Sequence, residues 1–336
     1  MKLKEKKLLL AGGTAVLGLF LLISILRMFF PVASGHARTI YITIPRSASS
    51  SSIGRLLYEQ GLVHSAWFFN FFTRLKGVDG KLKAGSYVFS TDQSLPEIVN
   101  ELVKGPEGGY IFTVPEGFTL KQIAELLDRE GLVTRQDFLT SSAGDNFDYP
   151  FLQGLPKGPN RLEGYLFPDT YRVGGNASAH EIIDLMLSRF NQKLKEMDYY
   201  RKVEKSGLTL HQAVTIASMV EREARVDRER PLIAGVILNR LKRGMPLQVD
   251  ATVQYALGSQ RAKLYYKDLE VDSPYNTYLN RGLPPGPIAC PGEASLLAAV
   301  QPVRTNYLYY VARPDGTHAF ASTLAEHNAN KRKYLR

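Results

Sequence analysis

The sequence predicts an α+β protein in three parts: a single N-terminal transmembrane helix, a repeat region of short strands and helices, and a mostly helical α+β domain. Three observations underlie this prediction. Residues 8–26 are uncharged and apolar, and two segments of the chain are similar to each other. Beyond residue 179, apolar residues recur at helical spacing over most of the chain. The 336 residues are enough for about two domains of ordinary size.

The apolar run near the N-terminus has the length of a membrane anchor. Four lysines precede the 19 residues of the run 8–26, and Arg27 follows them. A cleaved signal peptide usually has an apolar region of about 7–15 residues, whereas about 20 apolar residues span a bilayer. We therefore expect an uncleaved signal anchor over residues 8–30, with residues 1–7 as a cytoplasmic tail. Small residues at 32–35 keep cleavage open as an alternative.

The rest of the chain is expected outside the cytoplasm. The single cysteine, Cys290, excludes an intrachain disulfide. Of the net charge of +10, residues 1–35 contribute +4, so the exported part carries about +6. That charge suits an anionic envelope polymer or a membrane surface, or it serves solubility alone. Nucleic acid is not an expected partner, because no basic run with interleaved aromatic residues stands out.

Two segments that lie 70 residues apart are similar in sequence. Residues 43–69 align without gaps with residues 113–139, and nine of the 27 aligned positions are identical. Each copy predicts a short strand, a helix that ends at a glycine, and a second helix. The first copy continues into a predicted strand at 84–89 and a predicted helix at 94–104. We place the repeat region at residues 38–145.

The strand–helix–helix–strand order of the repeat region resembles the LysM module, which binds glycans that contain N-acetylglucosamine. The resemblance lies in the order of the elements and in the strand–turn–helix start, and it identifies no binding residue. A duplicated scaffold that positions the next domain is the alternative, since a fold does not by itself determine a function.

The remaining residues, 146–336, predict the mostly helical domain. Residues 149–171 are rich in proline, glycine and aromatic side chains, which favours an irregular connector. Residues 274–292 contain five prolines and three glycines before a helix that begins near Glu293, so this stretch is predicted to be a loop. Asp250 has the position of an N-cap. The predicted helices are 179–203, 208–226, 230–243 and 250–257.

One glutamate lies on the apolar side of its predicted helix. At about 100° per residue, Glu221 falls between Leu210 and Val214, whereas Arg222 points to the opposite side. An ionised carboxylate is costly to bury, so the pKa of Glu221 should rise unless the group is paired. A raised pKa suits a general acid. A structural glutamate paired with an arginine is the alternative.

Five motifs occur in order along the chain: VPEGFTLKQIA, LEGYLFPDTY, IASMVEREA, VILNRLKRGMPLQVDATVQYALG and SPYNTYLNRGLPPGPIACPG. Together they resemble the MltG (YceG-like) family of endolytic murein transglycosylases. The resemblance implies a single-pass enzyme of the bacterial inner (cytoplasmic) membrane that cuts nascent peptidoglycan glycan strands internally. Its catalytic domain, residues 146–336, would lie on the periplasmic side. Cell-wall synthases are then expected as neighbours.

The resemblance places the catalytic residue at Glu221, the first glutamate of the family's V-E-[KR]-E motif. Glu223 lies at the edge of the apolar arc and is expected to be structural. Other polar residues are candidates for binding the substrate, because amides and tyrosines hydrogen-bond sugar hydroxyls and tyrosines stack on sugar faces. For Glu163 a turn-forming role is the alternative. The substrate-binding candidates are Glu163, Gln248, Asp250, Tyr255, Asn276 and Tyr278.

A lytic transglycosylase needs one acidic residue. Protonated Glu221 would donate to the glycosidic oxygen between N-acetylmuramic acid and N-acetylglucosamine. As a carboxylate it would then take the proton of the muramic C6 hydroxyl, while that oxygen closes onto C1. The cut strands would carry 1,6-anhydromuramic ends, and such cuts would terminate glycan elongation. The reaction consumes no cofactor, and none is expected.

Two other functions remain open at this point. A glycan hydrolase needs a second carboxylate, for which Asp250 is the candidate if it lies about 5–10 Å from Glu221. A membrane-anchored peptidoglycan-binding scaffold needs no acid, and an unpaired Glu221 would have no place in it. His318 and His327 could be metal ligands, but no ligand spacing supports this, so no metal is expected.

Overall fold

The computed structural model describes residues 26–33, 37–45, 48–106, 109–155, 158–174, 177–259, 261 and 264–335. The predicted tail at 1–7 and residues 8–25 of the predicted anchor lie outside the described residues. Among the residues that are described, no helix has the length and apolar character that crossing a membrane requires.

The described part of the chain is mostly helical, with small two-stranded sheets that pair β1 with β2, β3 with β4 and β5 with β6. This is the predicted α+β class. The strands are β1 (Thr39–Ile44), β2 (Gly85–Ser90), β3 (Tyr110–Thr113), β4 (Thr170–Val173), β5 (Tyr309–Ala312) and β6 (His318–Ala321). The α-helices are α1 (Ser50–Glu59), α2 (Ala66–Leu75), α3 (Leu95–Lys104), α4 (Leu120–Arg129), α5 (Arg135–Gly144), α6 (Ala179–Glu196), α7 (Tyr199–Ser206), α8 (Leu210–Glu223), α9 (Arg230–Lys242), α10 (Asp250–Leu257), α11 (Glu293–Val300) and α12 (Leu324–Tyr334). Short 3₁₀ turns lie at Pro150–Leu152, Asp227–Glu229 and Tyr266–Glu270.

The chain divides into two compact units. Unit 1 takes the described residues up to Ile111, together with Glu130–Leu132 and Arg172–Ala177. Unit 2 takes Phe112–Arg129, Val133–Tyr171 and the residues from Ser178 onward. Most of the second repeat copy therefore belongs to unit 2, whereas the predicted boundary lies at residue 145.

Unit 1 is organised around the antiparallel pair β1–β2, in which Thr39 faces Ser90 and Ile44 faces Gly85. Alternation along the strands puts every second side chain on the inner face. There the strand residues join apolar side chains of α1, α2 and α3 in one core. The buried residues of this core include Ile42, Ile44, Leu57, Phe69, Phe72, Tyr87, Phe89 and Ile98.

Both repeat copies have the predicted strand–helix–helix order, as β1–α1–α2 and as β3–α4–α5. In each copy the chain leaves the first helix through a glycine, Gly61 or Gly131, and both have φ of +69°. A side chain with a Cβ is disfavoured at such a φ, which explains why glycine is kept at the same place in both copies.

Unit 2 contains the helix that carries Glu221. The Thr209 hydroxyl accepts a hydrogen bond from the Gln212 backbone N–H, so α8 begins with the predicted capping box. The helix ends at Glu223 rather than at 226, because Ala224 is extended. Glu221 thus lies in the last turn of α8, which packs against α9, α10 and α11.

Two sequence expectations for helices of unit 2 were wrong in detail. The predicted helix at 179–203 is two helices, α6 and α7, because Asp198 between them has a left-handed backbone with φ of 50°. Asp250 is the first residue of α10, and Val249 is its N-cap. The Asp250 carboxylate accepts a hydrogen bond from the Tyr278 hydroxyl instead of capping the helix.

The proline-rich segment 274–292 forms neither helix nor strand, as predicted. It is held in place by hydrogen bonds to α8 and to the segment before α4. The Ile288 N–H donates to the Ser218 hydroxyl at 3.0 Å. The Gly117 N–H donates to the Cys290 carbonyl at 2.9 Å, and the Cys290 N–H donates to the Phe118 carbonyl at 2.8 Å. These bonds bring the VPEGF motif beside the end of the proline-rich loop.

Candidate active site

Glu221 is nearly buried, and both of its carboxylate oxygens accept hydrogen bonds. Its side chain is 5% exposed. Nη1 of Arg230, the first residue of α9, donates to Oε1 at 2.9 Å. The backbone N–H of Gly292, the residue before α11, donates to Oε2 at 2.9 Å. Glu221 is therefore paired with an arginine, the alternative that the sequence left open.

Arg230 is itself held by several partners. Its side chain is 10% exposed, and Nη1 also donates to the Ser295 hydroxyl at 2.6 Å. Nε donates to Oδ1 of Asp227 at 3.0 Å. Charge-assisted hydrogen bonds of this kind are stronger than neutral ones and fix the orientation of a planar guanidinium. Arg230 therefore presents a defined positive charge to Glu221, and both side chains have little exposure to solvent.

A second carboxyl group, that of Glu116, lies against the same glycine. A Cβ added to Gly292 would stand 1.7 Å from Oε1 of Glu116, so the carboxyl occupies the space that a side chain at 292 would need. Glu116 is an exposed residue, but partial desolvation of its carboxyl group, followed by the negative charge of Glu221, raises its pKa above the ordinary value. Gly292 is thus the point at which the carboxyl groups of Glu116 and Glu221 meet.

Unit 2 also contains a cavity of about 370 Å³. Its volume falls in the range of about 300–1,000 Å³ that is usual for small-molecule sites. Arg222 is among its lining residues, next in sequence to Glu221. The polar lining includes hydroxyl, amide and carboxyl groups from four separate stretches of the chain. Those side chains are Thr119, Gln122, Asn160, Glu163, Gln254, Tyr255, Ser259, Ser273 and Tyr275.

Glu163 and Tyr255, both predicted substrate-binding residues, meet in the wall of this cavity. Oε2 of Glu163 accepts a hydrogen bond from the Tyr255 hydroxyl at 3.1 Å, and Oε1 accepts one from the Leu120 N–H at 2.9 Å. Burial raises the pKa of Glu163 to about 7, although both hydrogen bonds act in the opposite direction. The Tyr255 and Tyr275 rings lie 4.8 Å apart between centroids.

Stability should depend on pH through Glu163. The folded-state pKa of about 7 lies above the usual value of 4.5, so the folded protein binds the proton more tightly than the unfolded chain. This contribution to stability is complete below pH 4.5 and is lost as the pH rises through 7. Glu163→Gln imitates the protonated form. Between pH 5 and pH 8 we expect the free energy of unfolding of this variant to fall by about 1–3 kcal/mol less than that of the wild type.

Urea unfolding of wild type and Glu163→Gln at pH 5 and pH 8 measures this effect. Glu125→Gln is a suitable control, since Glu125 also lines the cavity but is exposed. A pH dependence that is equal in all three proteins would contradict the assignment of the slope to Glu163.

A second group of predicted residues lies around Glu223. The Asp250 carboxylate accepts a hydrogen bond from the Tyr278 hydroxyl, and the Glu223 carboxylate accepts one from the Tyr310 hydroxyl at 3.1 Å. Burial, followed by the charge of Asp250, raises the pKa of Glu223. The charges that act on Glu116 are those of Glu221, Arg230 and Asp227. Asp250 therefore interacts with Glu223, and the carboxyl group that meets Glu221 at Gly292 is Glu116.

The other two predicted binding residues are placed differently. Gln248 is exposed, with a left-handed φ of 52°, and its Oε1 lies 3.4 Å from Nη1 of Arg240. Asn276 is fully buried, and its amide group donates to the carbonyls of Leu269 and Val271, both at 2.9 Å. The Asn276 side chain thus shapes the loop from within.

His318 and Cys290, which the sequence analysis also raised, have internal partners. His318 Nδ1 lies 2.7 Å from Oε2 of Glu229, and both side chains are buried. The Cys290 thiol is fully buried, which raises its pKa and keeps it protonated. The backbone of Cys290 hydrogen-bonds to Gly117 and Phe118, so Cys290 has a structural role next to the site.

The profile of the YceG-like family matches residues 42–333. The chain belongs to the YceG-like family. Two curated relatives carry the name endolytic murein transglycosylase. The one from Bacillus subtilis (strain 168) is 37% identical over 319 residues, which are 91% of this chain and 87% of the relative. The one from Streptococcus pneumoniae serotype 2 (strain D39) is 32% identical over 339 residues, 93% of this chain and 61% of the relative.

A solved member of the YceG-like family has the same fold. The 2.6 Å crystal structure of a YceG-like protein from Listeria monocytogenes superposes with a TM-score of 0.67 at 36% sequence identity. The match covers 87% of this chain and 98% of the Listeria protein.

Sequence reasoning missed three residues of this YceG-like site: Glu116, Arg230 and Gly292. Glu116 belongs to the quoted VPEGF motif, and Gly292 closes the ACPG motif, so both were visible as motif residues without a role. Arg230 is the first residue of a predicted helix and lies nine residues after Glu221. That separation is short enough for the chain to bring Arg230 back to Glu221. No local pattern showed that these three would meet the carboxylate.

Proposed function

We propose that this chain is an endolytic murein transglycosylase and that Glu221 is its general acid and base. Membership of the YceG-like family supports the reaction, since curated relatives carry that name. The structural observation behind the assignment of Glu221 is its environment. Its nearly buried carboxylate accepts hydrogen bonds from the Arg230 guanidinium and from the Gly292 backbone N–H. A second carboxyl group, that of Glu116, lies next to Gly292.

The proposed reaction needs Glu221 in both protonation states. As an acid it gives its proton to the glycosidic oxygen between N-acetylmuramic acid and N-acetylglucosamine, and the bond from C1 to that oxygen breaks. As a carboxylate it accepts the proton of the muramic C6 hydroxyl, while the C6 oxygen bonds to C1. Glu221 ends as it began, and no water is consumed. Arg230 and Gly292 stabilise the intermediate carboxylate.

Glu116 is proposed as a positioning residue that keeps a proton in the site. Both oxygens of Glu221 accept hydrogen bonds in the structure. For Glu221 to donate a proton to a substrate, one of these hydrogen bonds must break and that oxygen must be protonated. The pKa of Glu116 is raised by partial desolvation and by the charge of Glu221, which makes Glu116 a suitable holder of that proton. Activity should then fall as the pH rises through the pKa of Glu116.

The cavity with Glu163, Tyr255 and Tyr275 is proposed as a saccharide subsite. Its lining supplies hydroxyl, amide and carboxyl groups for sugar hydroxyls, and tyrosine rings offer faces on which a sugar ring stacks. Its volume suits a small ligand such as one sugar unit of a glycan. Asp250, Tyr278 and Gln248 remain candidates for more distant contacts with the strand.

We also propose that residues 8–30 anchor the protein in the bacterial inner membrane, with the catalytic domain on the periplasmic side. The length of the apolar run and the lysines before it support this orientation. In that position the enzyme would act on strands as they are polymerised, next to the cell-wall synthases. The LysM-like repeat region would supply further glycan contacts.

The proposal is tested by the ends that the full-length protein leaves on peptidoglycan. Purified sacculi and uncrosslinked strands freshly polymerised from lipid II are digested in detergent, and the products are identified by mass spectrometry. Anhydromuramic ends inside the strands are the expected result. Reducing ends would indicate a hydrolase, with Glu116 or Asp250 as the second carboxylate. Binding of both substrates without any cleavage would indicate a scaffold.

Gly292→Ala should weaken catalysis while the protein still folds. The backbone at Gly292 has φ of −79°, which alanine readily adopts. Its Cβ, however, would stand 1.7 Å from the Glu116 carboxyl, and that flexible side chain would have to move away. We expect turnover to fall by about 10- to 100-fold, because displaced catalytic groups are costly. Glu116→Gln should lower turnover in the same direction.

The measurement is the initial rate of anhydromuramic end formation across a pH series. Gly144→Ala is a matched control, since nothing lies within 4 Å of a Cβ at that helical glycine. If Gly292→Ala turned over like Gly144→Ala at every pH, the position of Glu116 would be irrelevant to catalysis.

A further inference from the structure

Helix α2 of unit 1 has apolar side chains on its outer side as well as its inner side. Phe68, Phe69 and Phe72 are buried in the core. Outside, Trp67 is 72% exposed, Phe71 47% and Leu75 71%, and their spacing of four residues puts all three on one side of the helix.

These exposed side chains form a continuous patch, the α2 stripe (Trp67, Phe71 and Leu75). The Trp67 and Phe71 rings are stacked, with centroids 5.7 Å apart and planes at 7°. A helix on a protein surface usually carries polar residues on its outer side. A contiguous exposed apolar patch generally marks a contact with a partner or a membrane.

The predicted membrane anchor ends beside this helix. The apolar run 8–26 finishes at Leu26, and Phe29 is already packed on α2, edge-on to Phe68 at 5.0 Å and to Phe72 at 5.5 Å. The Phe29 carbonyl accepts the Leu95 N–H at 3.3 Å. Three residues reach at most about 10 Å, so Leu26, the last residue of the apolar run, lies close to α2.

The stripe adjoins that contact, because the Phe68 ring touches both sides. Phe68 packs on Phe29 and lies 6.1 Å from the Phe71 ring between centroids. Arg74 in the last turn of α2 and Lys76, the C-cap residue after it, are exposed cations. Tryptophan at the membrane–water boundary, with basic side chains beside it, is the usual composition of a helix that lies in the interface.

We propose that α2 lies on the outer leaflet of the membrane that holds the predicted anchor, with Trp67, Phe71 and Leu75 inserted among the lipids. The occupant of the stripe is therefore the lipid surface, and Arg74 and Lys76 favour anionic headgroups. The length of the apolar run and the contact of Phe29, three residues after it, with α2 favour a lipid surface over a protein partner. The proposal depends on the anchor and not on the catalytic reaction.

Trp67 is the single tryptophan of the chain and reports on the stripe directly. The full-length protein is reconstituted into phosphatidylcholine–phosphatidylglycerol vesicles, with acyl chains either plain or brominated near the headgroup. Trp67 emission should be shifted to the blue and fall to about half with the brominated lipid, as expected for a side chain about 5–10 Å into the interface. Lipids brominated near the chain ends should quench less.

Two variants make the test specific to the stripe. Phe71→Ser/Leu75→Ser keeps the reporter and removes the two exposed apolar neighbours, so quenching should drop while the circular dichroism stays unchanged. Trp67→Phe/Tyr41→Trp moves the reporter to the outer face of β1, where Tyr41 is 80% exposed, and this reporter should not be quenched.

Several outcomes would overturn the proposal. An unquenched Trp67 in protein that floats with the vesicles would mean that the stripe does not meet lipid. A blue shift that depends on protein concentration but not on bromine would identify a second copy as the occupant. Equal quenching at positions 41 and 67 would remove any special role of α2. Failure of the full-length protein to float with the vesicles would contradict both the predicted anchor and the membrane contact of the α2 stripe. The proposed enzymatic function is tested separately, by glycan cleavage in detergent.

Discussion

Glu221→Gln is expected to reduce the formation of anhydromuramic ends by about 10²–10⁴-fold, the usual contribution of a general acid and base. Glutamine has nearly the same shape and can still accept a hydrogen bond from Arg230. It can neither give a proton to the glycosidic oxygen nor take one from the C6 hydroxyl. The rate is measured by mass spectrometry of released ends, and binding by co-sedimentation with sacculi, which should be retained.

Glu223→Gln is the matched control for this variant. Glu223 is also a glutamate of the last turn of α8, and its carboxylate receives the hydroxyl of Tyr310 rather than Arg230. We expect Glu223→Gln to keep most of the activity. Cleavage by Glu221→Gln at the wild-type rate would contradict the assignment of Glu221. Loss of activity in both variants would point to disruption of the C-terminal end of α8 in general.

Arg230→Met is expected to have the largest effect on stability, a loss of about 3–5 kcal/mol. The side chains of Arg230 and Glu221 are 10% and 5% exposed, so methionine would leave the Glu221 carboxylate buried without its cation. Asp227 and Ser295 would lose their bonds to the guanidinium as well. The measurement is urea unfolding followed by circular dichroism at neutral pH.

A double-mutant cycle separates the ion pair from the packing of the arginine. In Arg230→Met/Glu221→Gln the buried charge is absent, so part of the loss should be recovered, with a coupling of about 0.5–3 kcal/mol. Arg228→Met is the control, because Arg228 is an exposed arginine of the same turn. If Arg230→Met were no more destabilising than Arg228→Met, the pair would contribute little to the fold.

Much of the fold was readable from local sequence patterns. The capping box at Thr209 and the glycines at 61 and 131 act within a few residues of chain, so their effects could be predicted without tertiary contacts. The position of Glu221 on the apolar side of α8 also follows from helical spacing alone. The predicted helix 179–203 is interrupted at Asp198, whose backbone is left-handed. The sequence did not predict this break, because an aspartate in a helical pattern gives no reliable sign of that conformation.

The sequence by itself thus determined the α+β class, the repeat, most helix positions and the glutamate to which the family motif points. Only the tertiary structure decided what surrounds that glutamate. Gly292 is 71 residues from Glu221, and Glu116 reaches the same glycine through backbone bonds between two loops. Helix and turn signals come from neighbours along the chain, whereas the charge state of a buried carboxylate depends on groups that folding brings to it.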